Sequence, residues 1–213
     1  MVTGVFSAVH ENEDPRAEYV RDMVRRSIAV KEKLIADHVP SALRIADVCI
    51  DALSAGGKLL FCGNGGSAAD AQHLAAELLV RLRPDVDRAG LPAIALAMDT
   101  SSLTACGNDY SFEHYFERMV RALGRKGDVL IGITTSGKSL NIINALQAAR
   151  QMGIHTVGLL GGTGGAALAE CDVALVVPST ETGRIQEGHI TLGHAIMELI
   201  EEGLFDKGKL TRT

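Results

Sequence analysis

Apolar positions change period several times along the chain, and each change marks an element. From Pro15 to about His38, Tyr19, Val20, Met23, Val24, Ile28, Val30, Leu34 and Ile35 recur at helical spacing. A second helix, near residues 40–55, carries Leu43, Ile45, Val48, Ile50 and Leu53 and ends at Gly56-Gly57. Then Leu59, Leu60, Phe61 and Cys62 form an unbroken apolar run, the mark of a strand buried on both faces. The run breaks into Gly63-Asn64-Gly65-Gly66, and Ser67, a candidate N-cap, opens an alanine-rich helix. Further apolar runs fall within Pro92–Met98 and over Asp128–Ile133, Ile154–Leu160 and Val173–Val177, the last stopped by Pro178. Helical patterns lie between and after them: residues 101–122, broken around Gly107-Asn108-Asp109; a stretch to about Met152; a short segment after Gly165; and Arg184 to Glu202.

Five apolar strands alternating with helices predict an α/β protein. The expected form is a three-layer αβα sandwich on a five-stranded parallel sheet, preceded by two N-terminal helices. Residues 1–14 read as a flexible N-terminus, 15–205 as a single domain and 206–213 as a C-terminal tail. A long amphipathic helix ahead of the first strand suits packing on a partner subunit. The Gly161-Gly162-Thr163-Gly164-Gly165 run resembles the first glycine turn, but no sustained period links them and the likeness reads as coincidence.

Composition narrows the classes. The 213 residues are 46% hydrophobic, enough for a substantial core and against disorder. A net charge of −5 without a basic cluster gives no nucleic-acid surface. The N-terminus lacks a secretory signal, and no apolar run reaches membrane-span length. The cysteines (Cys49, Cys62, Cys106, Cys171) lack C-x-x-C spacing and read as reduced core thiols of a cytoplasmic protein. Aromatics at 4% and no Trp weigh against a stacking cleft for carbohydrate polymers.

Candidate chemistry gathers in three stretches. The Gly63–Gly66 turn before a helix lets a ligand approach backbone amides, and it is not the dinucleotide fingerprint, since Ala68 stands where the third Gly belongs. On the helix that follows, His73 and Glu77 are spaced i and i+4 and share a face. The second stretch, GITTSGKS (residues 132–139), matches the phosphate-loop pattern letter for letter. Gly132 lies inside the apolar strand, however, and no later strand ends in a magnesium-holding Asp. A simpler reading gives Thr134, Thr135, Ser136 and Ser139 to one phosphate at a helix N-terminus. The third is RIQEGHITLGHAIMELIEE (residues 184–202), with Gln186, His189 and His194. The two histidines are off one another's face, and spacing does not choose between them. Gln186 and His194 would stand about 12 Å apart in a regular helix. One metal then needs Gln186 to precede the helix, or a site shared between subunits.

GNGGSAADAQHLAAE, LPAIAL, LTACGNDY, GDVLIGITTSGKS and RIQEGH…GH, in that order, resemble the phosphoheptose (sedoheptulose 7-phosphate) isomerases of the sugar-isomerase (SIS) fold over roughly residues 15–205. The resemblance implies a homotetramer with active sites between subunits. It implies isomerisation of sedoheptulose 7-phosphate to D-glycero-D-manno-heptose 7-phosphate, the first step toward nucleotide-activated heptose. It also implies one zinc per subunit on His73, Glu77, Gln186 and His194, with Glu77 and His194 as the acid–base pair. Sugar contacts are implied for Asn64, Gly65, Gly66, Glu77, Asn108, Asp109, Thr134, Thr135, Ser136, Ser139 and Gln186. One departure is visible: Thr134 stands where the family loop usually begins with Ser. Two other readings compete, a non-catalytic SIS module that senses a sugar phosphate or docks on a replication initiator, and a phosphate-loop nucleotide hydrolase. Retention of Glu77 and His194 argues against the former.

Overall fold

A computed structural model describes residues 14–212. The expected flexible N-terminus therefore lies outside the described residues, apart from Asp14, whose carboxylate accepts from the Arg16 backbone N–H and caps the first helix. Seven helices and five strands follow: α1 Pro15–Asp37, α2 Val39–Ser54, β1 Leu59–Gly63, α3 Gly66–Leu79, β2 Ala93–Ala95, α4 Thr100–Asp109, α5 Tyr115–Leu123, β3 Val129–Thr134, α6 Leu140–Gln151, β4 His155–Gly161, β5 Val173–Val177 and α7 Thr182–Asp206.

The strands form one parallel sheet in the order β2-β1-β3-β4-β5. Burial explains why the strands read as unbroken apolar runs: Leu59, Leu60, Phe61 and Cys62 are all fully buried, facing alternate layers. Each large side chain removed from water contributes about 1.5–3 kcal/mol. On one face, Leu59 and Phe61 join α2, α3 and α7; on the other, Leu60 and Cys62 join α5 and α6. The three layers and the two N-terminal helices agree with the sequence reading. Boundaries differ in detail. The helix expected to break at Gly107-Asn108-Asp109 runs through Asp109 and breaks at Tyr110, where a 3₁₀ turn over Phe112–His114 leads into α5.

In this strand order the direction in which strands are added reverses between β1 and β3, and α3 and α6 leave on opposite faces. The carboxyl ends of those two strands thus flank the crevice where open α/β sheets bind ligands. The glycine turn after β1 and the hydroxyl loop after β3 lie on either side of it.

Close approach of α7 to α3 is built on a glycine. A Cβ placed on Gly193 would stand 2.9 Å from Leu74 Cδ2, so only hydrogen allows the two helices this separation. The neighbours of those residues are His73 and His194.

Candidate active site

The glycine turn is tighter than the sequence suggests. The cap of α3 is Gly65, at φ 55°, and Ser67 is buried within the first turn. Ser67 is thus not the N-cap: its backbone N–H already bonds the Asn64 carbonyl, and the helix begins before its hydroxyl is needed. Gly65 supplies a left-handed conformation that L side chains rarely adopt. At Gly66 the constraint is space, because a Cβ there would collide with the carboxamide of Gln186. Gln186 therefore lies directly over the amide end of α3.

Across the crevice, Asn64 and Asn141 exchange two hydrogen bonds. Asn64 Nδ2 donates to Asn141 Oδ1 at 2.9 Å, and Asn141 Nδ2 donates to Asn64 Oδ1 at 2.8 Å. Asn141 is buried in the first turn of α6, so this amide pair ties the glycine turn to the hydroxyl loop. Nothing in its local sequence marks Asn141, whose partner lies 77 residues away.

The four hydroxyls of the loop after β3 divide into two pairs. Thr134, buried at the end of its strand, and Ser139, the N-cap of α6, lie 3.2 Å apart, oxygen to oxygen. Thr135 and Ser136 instead line a cavity of about 330 Å³, with Lys138, Thr163, Ser179 and Thr180 around it. The last three come from loops after β4 and β5, and the sequence reading missed them. The second glycine run has a structural purpose: a Cβ on Gly137 would strike the Gly164 backbone, and one on Gly165 would meet Gly137 O. The Gly161–Gly165 turn is thus the backing of the hydroxyl loop. Gly132 sits in the middle of β3, so GITTSGKS lacks the loop length of a nucleotide phosphate loop.

Farther along α3 and α7, His73, Glu77 and His194 converge. Their ligand atoms all lie within 4.8 Å of one another. His73 Nε2 is 3.1 Å from Glu77 Oε1 and 2.8 Å from His194 Nε2, with one ring donating and the other accepting between the imidazoles. The Glu77 side chain is only 15% exposed. Asp70, one turn before His73, has a buried Oδ2 without a partner, and burial raises its carboxyl above the usual range while His73 opposes the rise.

Geometry separates the two histidines that spacing left open. His194 faces His73, whereas His189 is buried and bonded to the Leu160 carbonyl at 2.8 Å. Because α7 starts at Thr182, Gln186 lies within the regular helix. The condition that Gln186 precede the helix is therefore not met. Asn108 and Asp109 are exposed at the end of α4 and bonded to each other; no described hydrogen bond joins them to the other candidates.

Along its length α7 thus passes the hydroxyl cavity at Thr182 and Ile185, the glycine turn at Gln186 and the imidazole–carboxylate cluster at His194. A hydroxyl-lined cavity, backbone amides and an imidazole–carboxylate cluster thus follow one another along that helix.

Comparison with known proteins shows the family. The SIS domain family model matches residues 18–161. A phosphoheptose isomerase of Roseiflexus sp. (strain RS-1) is 50% identical over 194 residues, spanning 91% of this chain and 98% of the relative. The structure of phosphoheptose isomerase GmhA from Neisseria gonorrhoeae is 46% identical with a TM-score of 0.82, covering 87% of this chain and 98% of that one. The corresponding figures for a phosphoheptose isomerase from Francisella tularensis are 35%, 0.85, 89% and 100%. The chain belongs to the phosphoheptose isomerases of the SIS domain family.

Proposed function

We propose that the protein interconverts sedoheptulose 7-phosphate and D-glycero-D-manno-heptose 7-phosphate through an enediol. The observation that carries this reading is the convergence of His73, Glu77 and His194 from α3 and α7, two helices whose amino-terminal ends stand at the glycine turn and the hydroxyl cavity. The phosphate is assigned to Thr135, Ser136 and the amide end of α6. The chain of sugar hydroxyls then runs past Asn64, Gly65, Gly66 and Gln186. Thr134 and Ser139, bonded to each other, shape the loop, and Asn108 and Asp109 are assigned to sugar contacts on the family pattern. Ketose–aldose exchange needs a base for the C1 proton and a group that moves protons between the C1 and C2 oxygens. Glu77 is assigned the first task, returning the proton at C2, and His194 the second. Incubation with sedoheptulose 7-phosphate, followed by NMR, should show the aldose; an unchanged ketose at high enzyme concentration contradicts the assignment.

The donor set suits zinc. Two ligand atoms at about 2.0–2.1 Å from a tetrahedral ion stand roughly 3.3 Å apart. The contacts of 3.1 and 2.8 Å within the cluster lie close to that spacing, and the ligand types are an imidazole pair and a carboxylate. His73, Glu77 and His194 would hold the ion; Gln186, two turns before His194 on the same helix, would join them only in a site shared between subunits. When bound, zinc supplies polarisation of the sugar carbonyl. A carboxylate bound to a cation is a weaker base, so Glu77 would not serve as ligand and as base for the C1 proton at the same moment. Elemental analysis of protein purified without added metal should find one zinc per subunit; no zinc together with full activity after chelation would reject it.

Tyr19, Val20, Val24, Ile28 and Ile35 of α1 are exposed, whereas Val30 and Leu34 on its other side enter the core. An apolar face of that extent fits the homotetramer, with sites shared between subunits, that the family pattern implies. A monomeric mass in light scattering at micromolar protein contradicts it. Among the described residues no helix is long and apolar enough to cross a membrane, and the four cysteines are free. Both suit a cytoplasmic enzyme, which cell fractionation tests; recovery with the envelope would contradict it.

A further inference from the structure

The loop between α3 and β2 carries three arginines that the chemistry above does not use, and one, Arg88, is almost wholly buried. The Arg88 side chain is 1% exposed, as is that of its partner Glu201. Arg88 Nε donates to Glu201 Oε1 at 2.6 Å. Its remaining nitrogens serve the C-terminal end of α3 and the loop itself: Nη2 donates to the carbonyl of Glu77 at 2.8 Å, and Nη1 to those of Leu78, in α3, and Ala89, in the loop, both at 3.0 Å. The other Glu201 oxygen accepts from Arg83 Nε at 2.9 Å and from Arg83 Nη2 at 2.7 Å. A cation at a helix C-terminus is favoured by the helix dipole, and the planar guanidinium reaches several acceptors at once.

Placement gives these contacts their meaning. Arg88 holds the backbone carbonyl of Glu77 itself, on the helix that also carries His73. Glu201 lies on α7, about two turns beyond His194. The buried pair therefore bolts the end of one helix of the cluster to the other helix, while Gly193 against Leu74 sets their spacing. Stability alone is a poor explanation for such a pair, since a buried ion pair is often replaced by apolar groups without loss.

We propose that Arg88, fixed by Glu201, is a positioning residue: it holds the end of α3 against α7 so that Glu77 and His73 meet His194 in catalytic register. This rests on the isomerase reading for its catalytic consequence, but not for its geometry. Arg88→Lys keeps the charge and cannot span Glu201 and three carbonyls; Glu201→Gln keeps the shape and removes the countercharge.

The test measures three quantities on full-length wild-type and variant proteins. The first is the nuclear Overhauser effect between the His73 and His194 rings in metal-free protein. The second is zinc affinity by competition with a chelating dye. The third is kcat and KM for sedoheptulose 7-phosphate. In Arg88→Lys the ring–ring effect should weaken or vanish, zinc affinity should fall about 10–100-fold, and kcat should fall with KM little changed. Should Arg88→Lys not fold, as judged by circular dichroism, Glu201→Gln is read by the same measures. A folded variant of either kind that keeps the ring contact, the zinc affinity and kcat overturns the proposal. Wild-type protein that shows the ring contact yet neither binds zinc nor isomerises overturns the isomerase reading instead, and the ring contact in the variants still decides the positioning role.

Discussion

The Nε2 atoms of His73 and His194 stand 2.8 Å apart although 121 residues separate them in the chain. Two imidazoles at that distance share a single proton, one ring donating and the other offering its lone pair. A cation that took both nitrogens would require each ring to carry its proton on Nδ1 instead. Beside this contact, the neighbouring pair Leu74 and Gly193 packs the two helices closely together.

Gly193→Ala tests whether that packing sets the contact. A methyl there meets Leu74 Cδ2 at 2.9 Å and Cδ1 at 3.0 Å. Overpacking of this kind costs about 1–3 kcal/mol, and the gain in helix propensity offsets about 1 kcal/mol. Thermal stability should therefore fall only modestly. A small outward shift of α7 should still separate His73 from His194, and displacements of about 1 Å in a catalytic cluster cost up to 10²-fold. Calorimetry and steady-state turnover check the pair of effects; turnover at the wild-type level would show that the glycine does not set the contact.

Ser136→Ala addresses the hydroxyl cavity. The Ser136 hydroxyl lines it and also accepts from the Lys138 N–H at 3.2 Å. Loss of a hydrogen bond to a charged group costs about 1.5–3 kcal/mol, or roughly ten- to a hundredfold in affinity. Isothermal titration with sedoheptulose 7-phosphate should show that loss with the fold intact. Undiminished sugar-phosphate affinity, or tight binding of ATP, would return the loop to the nucleotide reading.

His189 should make the fold acid-sensitive. Burial depresses its pKa from 6.5 to about 4, only partly opposed by its hydrogen bond to Leu160, and Nδ1 has no partner. The folded state thus binds its proton less readily than the unfolded state. Stability from this group is complete above the unfolded pKa near 6.5 and is lost as pH falls toward 4, by about 2 kcal/mol at pH 5. His189→Gln keeps a donor for the Leu160 carbonyl and cannot titrate. Denaturant unfolding at pH 7 and pH 5 should show a smaller difference in this variant than in the wild type; equal differences would remove His189 as the cause.

The sheet was legible because strands buried on both faces leave continuous apolar runs, and β5 matches its expected span residue for residue. Local conformation was less so. Ser67 looked like a cap because hydroxyls favour caps, but the positive φ at Gly65 starts the helix sooner. His189 and His194 could not be told apart by spacing, since the choice depends on what each helix face meets: a strand-end carbonyl for one, α3 for the other. Asn141 and Arg88 were invisible for the same reason. Their partners Asn64 and Glu201 lie 77 and 113 residues away, and no local pattern records a contact of that range.

The most direct measurement is exchange of the C1 protons of sedoheptulose 7-phosphate with deuterated water, followed by NMR on wild-type protein and Glu77→Gln with metal content determined in parallel. Glutamine keeps the shape of the side chain and removes the basic carboxylate beside His73. General-base catalysis supplies about 10²–10⁴-fold, so exchange in the variant should fall by at least the lower figure while sugar-phosphate binding persists. Wild-type rates of exchange in a variant that retains its zinc would contradict Glu77 as the base, and absence of exchange in the wild type would contradict the isomerase itself.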